Sequence, residues 1–534
     1  MGGTAAASTM RAPRTLATQV RRIRKAHVLH GLRIGWCILL IYAERIVFYR
    51  AAAACGRHIA PGGSAALDVL IIADPQVIDR GTYDYAWPLY CLARLVSDVY
   101  LRKAWLAMTA RGLGAFLFCP RWGHDLVVFL GDMSDRGRWR HDRSSWMRLQ
   151  ARWERIFSGI ALVESLGRAG LTRRKRGAPI PALLVPGNHD IGLPGRDGRT
   201  RTEYADAYDF FLERYGMHIN GTNHLLDSDS NTLSWNVRIP ISIDGATQSH
   251  EIVLINALDL IGMEPLGSNM DDAALADARR QAPDTASLVD AVVADLQQRR
   301  GIPRILFSHV PLARGPNEHT CMVPWRTARH GVRRESQRAR VPGGDILQGG
   351  GIDNTYQNLI QPHVSAWVLR AVEPAVVFSG DDHDHCEAVH RGVRAGAQGD
   401  GSVPGFAAGD TPELTVKSLS MLEGVHRPGY ARLRLYAPHA AAPPALDYAP
   451  CLLPDQISIW LYIYLPCFVV TLALLVAMRL RSKGQLLPLA DEIPLDGAPM
   501  RARRQRSTAS AIGRDILAVG AAPLVLWLCI QLLG

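Results

Sequence analysis

The middle of the chain alternates short apolar runs, rich in Val, Ile and Leu, with longer segments of helical character. The longer segments 83–108 and 145–166 predict helices. This alternation is typical of an α/β protein in which helices cover the faces of a sheet. The predicted strands are residues 67–73, 126–130, 182–185, 252–256, 305–307 and 375–378.

Three stretches break this alternation: residues 173–177, 326–351 and 392–409. They are rich in Arg or Gly, and they predict loops or insertions. Their basic residues could bind an anionic partner. We interpret them instead as solvated loops, the usual state of a run of charged residues.

Longer apolar stretches occur near both ends of the chain. Residues 457–478 hold no charged side chain and are long enough to cross a bilayer core of ~30 Å as a helix. Residues 516–533 are a shorter candidate. Residues 32–52 follow a basic tail, and we interpret them as a signal anchor rather than a cleaved signal or transit peptide, because no small-residue cleavage site closely follows. Glu44 and Arg45 interrupt this stretch.

The net charge of +11 is spread over separate basic clusters, which argues against a nucleic-acid-binding face. Two clusters, in residues 1–31 and 479–515, flank the apolar stretches and are therefore predicted to be cytosolic. Residues 56–454 would then form one large lumenal domain. The glycosylation sequon Asn220-Gly221-Thr222 within that segment agrees with this orientation.

Nine cysteines occur, three of them within the apolar stretches. The other six show no CxxC spacing, so nothing supports a zinc finger. An oxidising lumen permits one or two disulfides among them, and the sequence leaves the pairing open. These six are Cys55, Cys91, Cys119, Cys321, Cys386 and Cys451.

Five of the six predicted strands are followed at once by a polar cluster. In open α/β sheets ligands bind at the carboxyl ends of the strands, so we expect the five clusters to converge on one crevice. Each cluster alone would be an ordinary turn or cap, but together they offer the carboxylate, carboxamide and imidazole ligands of divalent metal ions. The clusters are Asp74-Pro75-Gln76, Gly131-Asp132 with Asp135, Gly187-Asn188-His189-Asp190, Ser308-His309 and Gly380-Asp381-Asp382-His383.

This ordered set resembles the calcineurin-like metallophosphoesterases, whose fingerprint is D-x-H, G-D-x-x-D, G-N-H-D, a lone His and G-H-x-H after successive strands. The segments "FLGDMSDRG" and "LVPGNHDIG" carry the resemblance most specifically. "VLIIADPQ", "SHVPL" and "SGDDHDHCE" are similar to the eukaryotic membrane-bound branch that removes ethanolamine phosphate from a mannose of glycosylphosphatidylinositol (GPI) anchors. The resemblance implies a β-sandwich flanked by helices, with N- and C-terminal transmembrane helices.

The resemblance also implies roles for individual residues. Asp74 and Gln76 would hold a first metal ion, and Asp132 would bridge two ions. Asn188 and His309 would hold the second. His189 would face the substrate as a general acid, a role suited to a group that changes charge near neutral pH. Asp135, Asp190 and His385 are expected to lie behind these residues and support them.

The segment "FSGDDHDHC" allows two alignments with the G-H-x-H motif. A gap-free alignment places Asp381 on the first histidine and His383 on the second, which leaves His385 outside. The other alignment pairs His383 with His385 and needs a shift of two residues. We prefer the gap-free alignment because Ser379-Gly380 and Cys386-Glu387 both stay in register.

Gln76 and Asp381 depart from the family pattern, each standing in place of a histidine. Both changes favour oxygen ligands, so two Mn²⁺ or Mg²⁺ ions are expected rather than Zn²⁺ or Fe. They also leave room for a weakly held first ion.

The resemblance therefore predicts a metal-dependent phosphodiesterase acting on GPI anchors, supporting the maturation and export of GPI-anchored proteins. We expect a multi-pass glycoprotein of the endoplasmic reticulum or Golgi membrane, with its catalytic domain in the lumen. Its partners would be the lipid-linked GPI glycan or GPI-anchored proteins. Two alternatives stay open: a phosphatase acting on another phosphoester, and a catalytically weak membrane protein that binds GPI-anchored cargo.

Overall fold

The described part of the chain forms two compact units: a sheet unit, Phe48–Asp455, and a helical unit, Met1–Val47 with Gln456–Gly534. Cys119, Cys321 and the sequon at Asn220 lie outside the described residues, as does most of the predicted loop 326–351. The computed structural model describes residues 12–59, 66–80, 85–110, 123–135, 143–164, 170–175, 177–192, 201–219, 232–243, 249–262, 283–296, 302–314, 332–335, 359–394, 403–437, 445–484 and 508–532.

In its described residues, the sheet unit contains two six-stranded sheets and a two-stranded ribbon. Numbered along the chain, the described strands are β1 (Ala66–Ile72), β2 (Leu126–Phe129), β3 (Ile160–Leu162), β4 (Ile180–Leu184), β5 (Met217–Ile219), β6 (Thr232–Ser234), β7 (Val237–Ile241), β8 (His250–Leu254), β9 (Arg304–Phe307), β10 (Val376–Ser379), β11 (Cys386–His390), β12 (Thr411–Thr415), β13 (Gly429–Tyr436) and β14 (Leu446–Leu452).

The strand order is β14-β13-β1-β2-β4-β3 in the first sheet and β11-β12-β10-β9-β8-β7 in the second. The central strands of each sheet run parallel, while β13, β14, β7 and β11 are antiparallel to their neighbours. Alternate apolar side chains from both sheets, such as Val69, Val128, Ile305 and Phe378, form one buried core. The protein is therefore a mixed α/β sandwich.

Helices cover this sandwich. Two of them, Trp87–Met108 and Arg143–Ile156, pack on the first sheet through tryptophans that surround Phe129: the ring of Trp153 lies 4.9 Å from it and that of Trp105 lies 6.4 Å away. The other described helices of this unit are Val47–Gly56 (which begins at the unit boundary), Asn188–Ile191, Arg201–Tyr215, Ala257–Gly262, Pro283–Leu296 and Pro362–Val372.

All six predicted strands are confirmed, with ends that move by no more than two residues. The helix predicted over 145–166 was wrong at its end: the helix stops at Ile156, and β3 follows it. Gly159 adopts a φ of +84° between the two elements, a conformation that ends a helix and that glycine adopts without strain. The described parts of the other two predicted loops, at 173–175, 392–394 and 403–409, contain neither helix nor strand.

A disulfide joins Cys55 to Cys451, with Cα atoms 5.5 Å apart. It links the helix Val47–Gly56 to β14, residues 396 positions apart in the chain. The sequence had left this pairing open.

The helical unit contains the helices Ala12–Ile41, Leu465–Gly484 and Thr508–Leu532, with π-helical turns at Tyr42–Ile46 and Ile459–Tyr464. Among the described residues, two helices are long and apolar enough to cross a membrane, Gln456–Leu480 and Ala509–Ile530. The N-terminal helix is not one of them. An N-terminal span therefore stays a proposal.

Polar side chains connect the helices of this unit. Glu44 is buried and accepts a hydrogen bond of 2.8 Å from the Tyr464 hydroxyl. Asp515 pairs with Lys25 at 2.8 Å and with Arg479 at 2.7 Å. The charge that interrupts the first apolar stretch is thus satisfied by a neighbouring helix, as a buried polar group requires.

Candidate metal centre

Strand register brings the polar clusters of the first sheet together. Ile72, Phe129 and Leu184 are register partners near the ends of β1, β2 and β4, so the turns after these strands are neighbours. The backbone N–H of Gln76 donates to the carbonyl of Asp132 at 2.9 Å, which ties the first two turns to each other.

The second sheet contributes two further turns in the same way. Phe307 and Phe378 are register partners, and the N–H of Gly380 donates to the carbonyl of His309 at 2.8 Å. The N–H of Asp381 then donates to Asp74 Oδ1 at 3.2 Å, which joins the turns of the two sheets. The five clusters therefore meet at one end of the sandwich.

Strained backbone marks these turns. A left-handed φ is uncommon for a residue other than glycine and costs on the order of 1–3 kcal/mol. Seven described non-glycine residues have a positive φ, and two of them, Ala110 and Glu373, follow helices. The other five all belong to the predicted site: Asp74, Gln76, Asp132, Asp381 and His383. The strained turns therefore coincide with the candidate ligands.

Asp74, Asp132 and His383 can each offer a ligand atom within 4.8 Å of the others. The side-chain amide of Gln76 joins them, since it lies 2.9 Å from Nε2 of His383. Asp74 Oδ2 is buried and accepts no hydrogen bond from the described residues. We call Asp74, Gln76 and His383 the first half-site, with Asp132 at its edge.

Asp132, His309 and Asp381 form a second such group, again within 4.8 Å. The Nδ1–H of His309 donates to the backbone carbonyl of Leu130, so its Nε2 faces the crevice. Three oxygens surround this Nε2: Asn188 Oδ1 at 3.3 Å, Asp132 Oδ1 at 3.4 Å and Asp381 Oδ1 at 3.6 Å. We call Asn188, His309 and Asp381 the second half-site, and Asp132 is common to both.

The charges of this cluster suit a bound cation. Asp74, Asp132 and Asp381 are at most 2% exposed, and buried carboxylates are costly unless they are paired. Burial raises the pKa of Asp74 well above its usual value, and the charges of Asp132 and Asp381 raise it further while His309 opposes them. Burial lowers the pKa of His309, but Asp132 and the other carboxylates outweigh it and raise that pKa to about 10. The donor set therefore fits two divalent ions held mainly by oxygen.

His189 lies at the rim of the cluster, on the one-turn helix Asn188–Ile191. Its side chain is 15% exposed, and its backbone N–H donates to Asp132 Oδ1 at 2.8 Å. Its Nδ1 is 3.0 Å from Asp135 Oδ1, while its Nε2 is 3.9 Å from Asp132 Oδ2. One ring nitrogen thus faces a carboxylate and the other faces the candidate metal ligands.

Asp190 connects two of the turns. It is 1% exposed and accepts backbone N–H bonds from Gly187 at 3.0 Å, Ser134 at 3.1 Å and Met133 at 3.3 Å. A Cβ atom at Gly187 would collide with the carboxylate of Asp132, so only glycine permits this approach. Asp190 thus lies beneath the turns that carry Asp132 and Gly187 and ties them together.

In the segment "GDDHDH", the side chains of residues 381–384 point alternately towards the site and away from it. Asp381 and His383 enter the two half-sites, whereas Asp382 binds Arg334 at 2.6 and 2.8 Å. Asp384 pairs with Lys417 at 3.0 Å. This is the arrangement of the gap-free alignment.

His385, the histidine of the alternative alignment, belongs to neither of the described ligand groups. It is 2% exposed, and burial, followed by the charge of Lys417, lowers its pKa to about 3. A ring held neutral in this way supports the packing behind the turn.

One residue at the site, Glu423, was not predicted from the sequence. Its Oε2 lies 3.2 Å from His383 Nδ1, and its carboxylate also faces the Gln76 amide. Glu423 lies between β12 and β13, away from every predicted strand end, and neither of these strands was predicted. No sequence signal marked it, because only the fold brings this loop to the site.

Comparisons with known proteins agree with this geometry. Residues 67–385 match the calcineurin-like phosphoesterase family. The chain is also similar to cell division control protein 1 of Saccharomyces cerevisiae, with 27% identity over 417 residues. That alignment covers 76% of this chain and 63% of the yeast protein, so the chain spans less than two thirds of the relative's length.

Proposed function

Because the chain belongs to the calcineurin-like phosphoesterase family, we propose that this phosphoester hydrolase is a metal-dependent phosphodiesterase that removes ethanolamine phosphate from a mannose of GPI anchors. The observation that carries the metal-dependent part is the pair of buried ligand groups that share Asp132. The substrate rests on the similarity of the flanking motifs to the membrane-bound branch of the family.

We assign the ligands by half-site. Asp74, Gln76 and His383 would hold the first ion, Asn188, His309 and Asp381 would hold the second, and Asp132 would contact both. Bound ions supply neutralising charge for the phosphoryl oxygens and lower the pKa of water. The oxygen-rich donor set favours Mn²⁺ or Mg²⁺ over Zn²⁺ or Fe.

His189 is the proposed general acid. Its Nε2 is directed towards the candidate ligand cluster, and Asp135 Oδ1 is a charged neighbour 3.0 Å from Nδ1. A proton on Nδ1 that faces Asp135 orients the ring, and Nε2 can then pass a proton to the leaving oxygen of the substrate. Since the ring is partly exposed, it can meet a substrate that enters from solvent.

A lumenal position of the sheet unit is part of the same proposal. The Cys55–Cys451 disulfide supports an oxidising compartment, and the basic clusters at 1–31 and 479–515 support cytosolic flanks. Helices that span the endoplasmic reticulum or Golgi membrane, including the proposed N-terminal span, would confine the enzyme to the surface that holds a lipid-linked substrate. Such confinement raises the effective concentration of the substrate.

A cargo-binding role without turnover is the second candidate. Gln76 favours it, because a neutral amide is a weaker ligand than the imidazole of the family pattern and could leave the first ion loosely bound. A phosphatase acting on another phosphoester is the remaining alternative within the family, since one fold serves many substrates.

The deciding experiment measures ethanolamine phosphate released from GPI intermediates by the detergent-purified full chain with Mn²⁺, with Asp132→Asn as the control. Release by the wild type alone supports the proposal. If the protein holds two ions without releasing the group, another phosphoester is the substrate. Absence of both release and metal favours the cargo-binding role.

A further inference from the structure

Gln76 can serve the first half-site in only one orientation of its side-chain amide. A carboxamide can coordinate an ion through its oxygen only, and a free amide can rotate to present its nitrogen instead. His383 has a similar ambiguity, because either ring nitrogen can carry the proton. A working ligand pair therefore needs a partner that selects the correct end of both side chains.

Glu423 contacts both side chains at the end that faces away from the crevice. Its Oε2 lies 3.2 Å from His383 Nδ1. In the amide orientation that satisfies its hydrogen bonds, Gln76 donates from nitrogen to both carboxylate oxygens of Glu423, at 2.8 Å to Oε2. The Gln76 oxygen then accepts from His383 Nε2 at 2.9 Å, and a bound ion would take the place of that Nε2 proton. The oxygen and Nε2 are thus neighbours on the side facing Asp74 and Asp132.

The loop that carries Glu423 is attached to the same turns as the first half-site. The N–H of Ser418 donates to the His383 carbonyl at 3.0 Å, and its hydroxyl donates to the Asp74 carbonyl at 2.8 Å. The N–H of Leu419 donates to the carbonyl of Ala73 at 3.0 Å. On the far side of Glu423, the N–H groups of residues 426 and 427 donate to a carboxylate oxygen of Glu335, at 2.7 and 3.1 Å. These bonds hold Glu423 in place relative to its two partners.

We propose that Glu423 is the positioning residue of the first metal half-site: it accepts from Gln76 nitrogen and His383 Nδ1 and thereby presents the amide oxygen and Nε2 to one ion. This inference rests on the proposed metal-dependent function. A carboxylate that accepts from the outer nitrogen of a ligating histidine strengthens that ligand, and its loss usually weakens metal binding by ~10–100-fold. Here the same carboxylate also makes a glutamine usable where the family pattern has a histidine.

The test is the metal content and Mn²⁺ affinity of the detergent-purified full chain, measured by elemental analysis and by titration. We expect two ions per chain in the wild type. Glu423→Gln and Glu423→Ala should retain the second ion and bind the first ~10–100-fold more weakly. Adding Gln76→His to Glu423→Ala should recover part of that affinity, since an imidazole is a stronger metal ligand than a neutral amide.

His390→Gln is the matched control. His390 Nε2 lies 2.8 Å from Glu413 Oε2, which is also a carboxylate–histidine pair, but it belongs to neither half-site. This variant should keep both ions at wild-type affinity. Near-ultraviolet circular dichroism of every variant separates lost metal from lost folding, and Glu423→Gln preserves shape if the alanine variant unfolds.

Two results would overturn the inference in different ways. If the wild type and both Glu423 variants bind two ions with the same affinity, Glu423 does not position the ligands, and the proposed function stands. If the folded wild type binds no divalent ion at all, the proposed metal-dependent function fails as well.

Discussion

The two half-sites share Asp132 but are held by different kinds of partner. In the second half-site the histidine is oriented by a backbone carbonyl, that of Leu130, and its side chain is completely buried. In the first half-site His383 and its carboxylate partner Glu423 are both 13% exposed. A main-chain partner cannot be removed by substitution, whereas a side-chain partner can. The first half-site is therefore where sequence change can tune metal binding.

Asp132 gives the largest expected effect, because both half-sites depend on it. Asp132→Asn should lose both ions and lower turnover by roughly 10³-fold or more, equivalent to about 4 kcal/mol of transition-state stabilisation. Metal analysis alongside the ethanolamine phosphate assay checks this. Retention of two ions by the variant would contradict a shared ligand.

Substitution of His189 should lower turnover without lowering metal content. His189→Ala is expected to lower turnover by ~10²–10⁴-fold, the usual effect of losing a general acid, while both half-sites keep their ions. Turnover and metal content are measured on the same preparation. Equal loss of metal would show that His189 supports the ligands rather than the leaving group.

The pH dependence of unfolding tests whether the sheet unit loses stability through a residue outside the two half-sites. His250 is buried, with its Nε2–H donating to the Ala445 carbonyl at 2.8 Å. Burial lowers its pKa from 6.5 to about 4, against the opposing effect of that hydrogen bond. As the pH falls below the unfolded pKa of ~6.5, the unfolded chain takes up a proton that the folded chain does not. The free energy of unfolding therefore decreases by about 2 kcal/mol at pH 5.

His250→Gln removes this titration. The variant should lose less stability than the wild type between pH 7 and pH 5, as measured by thermal or denaturant unfolding of the detergent-solubilised chain. His426→Gln, at an exposed position, is the control and should keep the wild-type acid sensitivity. Equal acid sensitivity of the wild type and His250→Gln would assign the loss to other groups.

Gln76→His gives the smallest expected effect. It tests directly whether a sequence change in the first half-site alters metal preference. An imidazole in place of the amide should shift the preference of the first half-site from Mn²⁺ towards Zn²⁺ by about tenfold, because nitrogen ligands suit zinc better. Competition titrations with both ions measure the ratio. An unchanged preference would mean that the Gln76 oxygen is not a ligand.

The local pattern of apolar residues was sufficient to predict the strands that carry the candidate site. The six predicted strands are compact apolar runs, buried on both faces except at Asp68 of β1, and such runs stand out without knowledge of their neighbours. The other eight described strands were not predicted: β3, β5 and β6 have only three residues each and β7 was also missed, while β11–β14 are interrupted by polar residues or proline, as in the sequence "LDYAPCL" of β14. β13 takes its place by pairing with β1, at the other end of this unit's sequence, and β12 pairs with β10 although β11 lies between them in the chain.

The sequence by itself determined the central strands, the order of the polar clusters and the identity of the residues that belong to the family fingerprint, because these depend on residues a few positions apart. The tertiary structure decided that Asp382 and Asp384 turn away from the site while Asp381 and His383 enter it. It also decided that Cys55 meets Cys451 and that Glu423 reaches Gln76 and His383. The contacts of Cys55 with Cys451 and of Glu423 with Gln76 join segments hundreds of residues apart, and strand register and turn conformation, rather than local composition, bring them together.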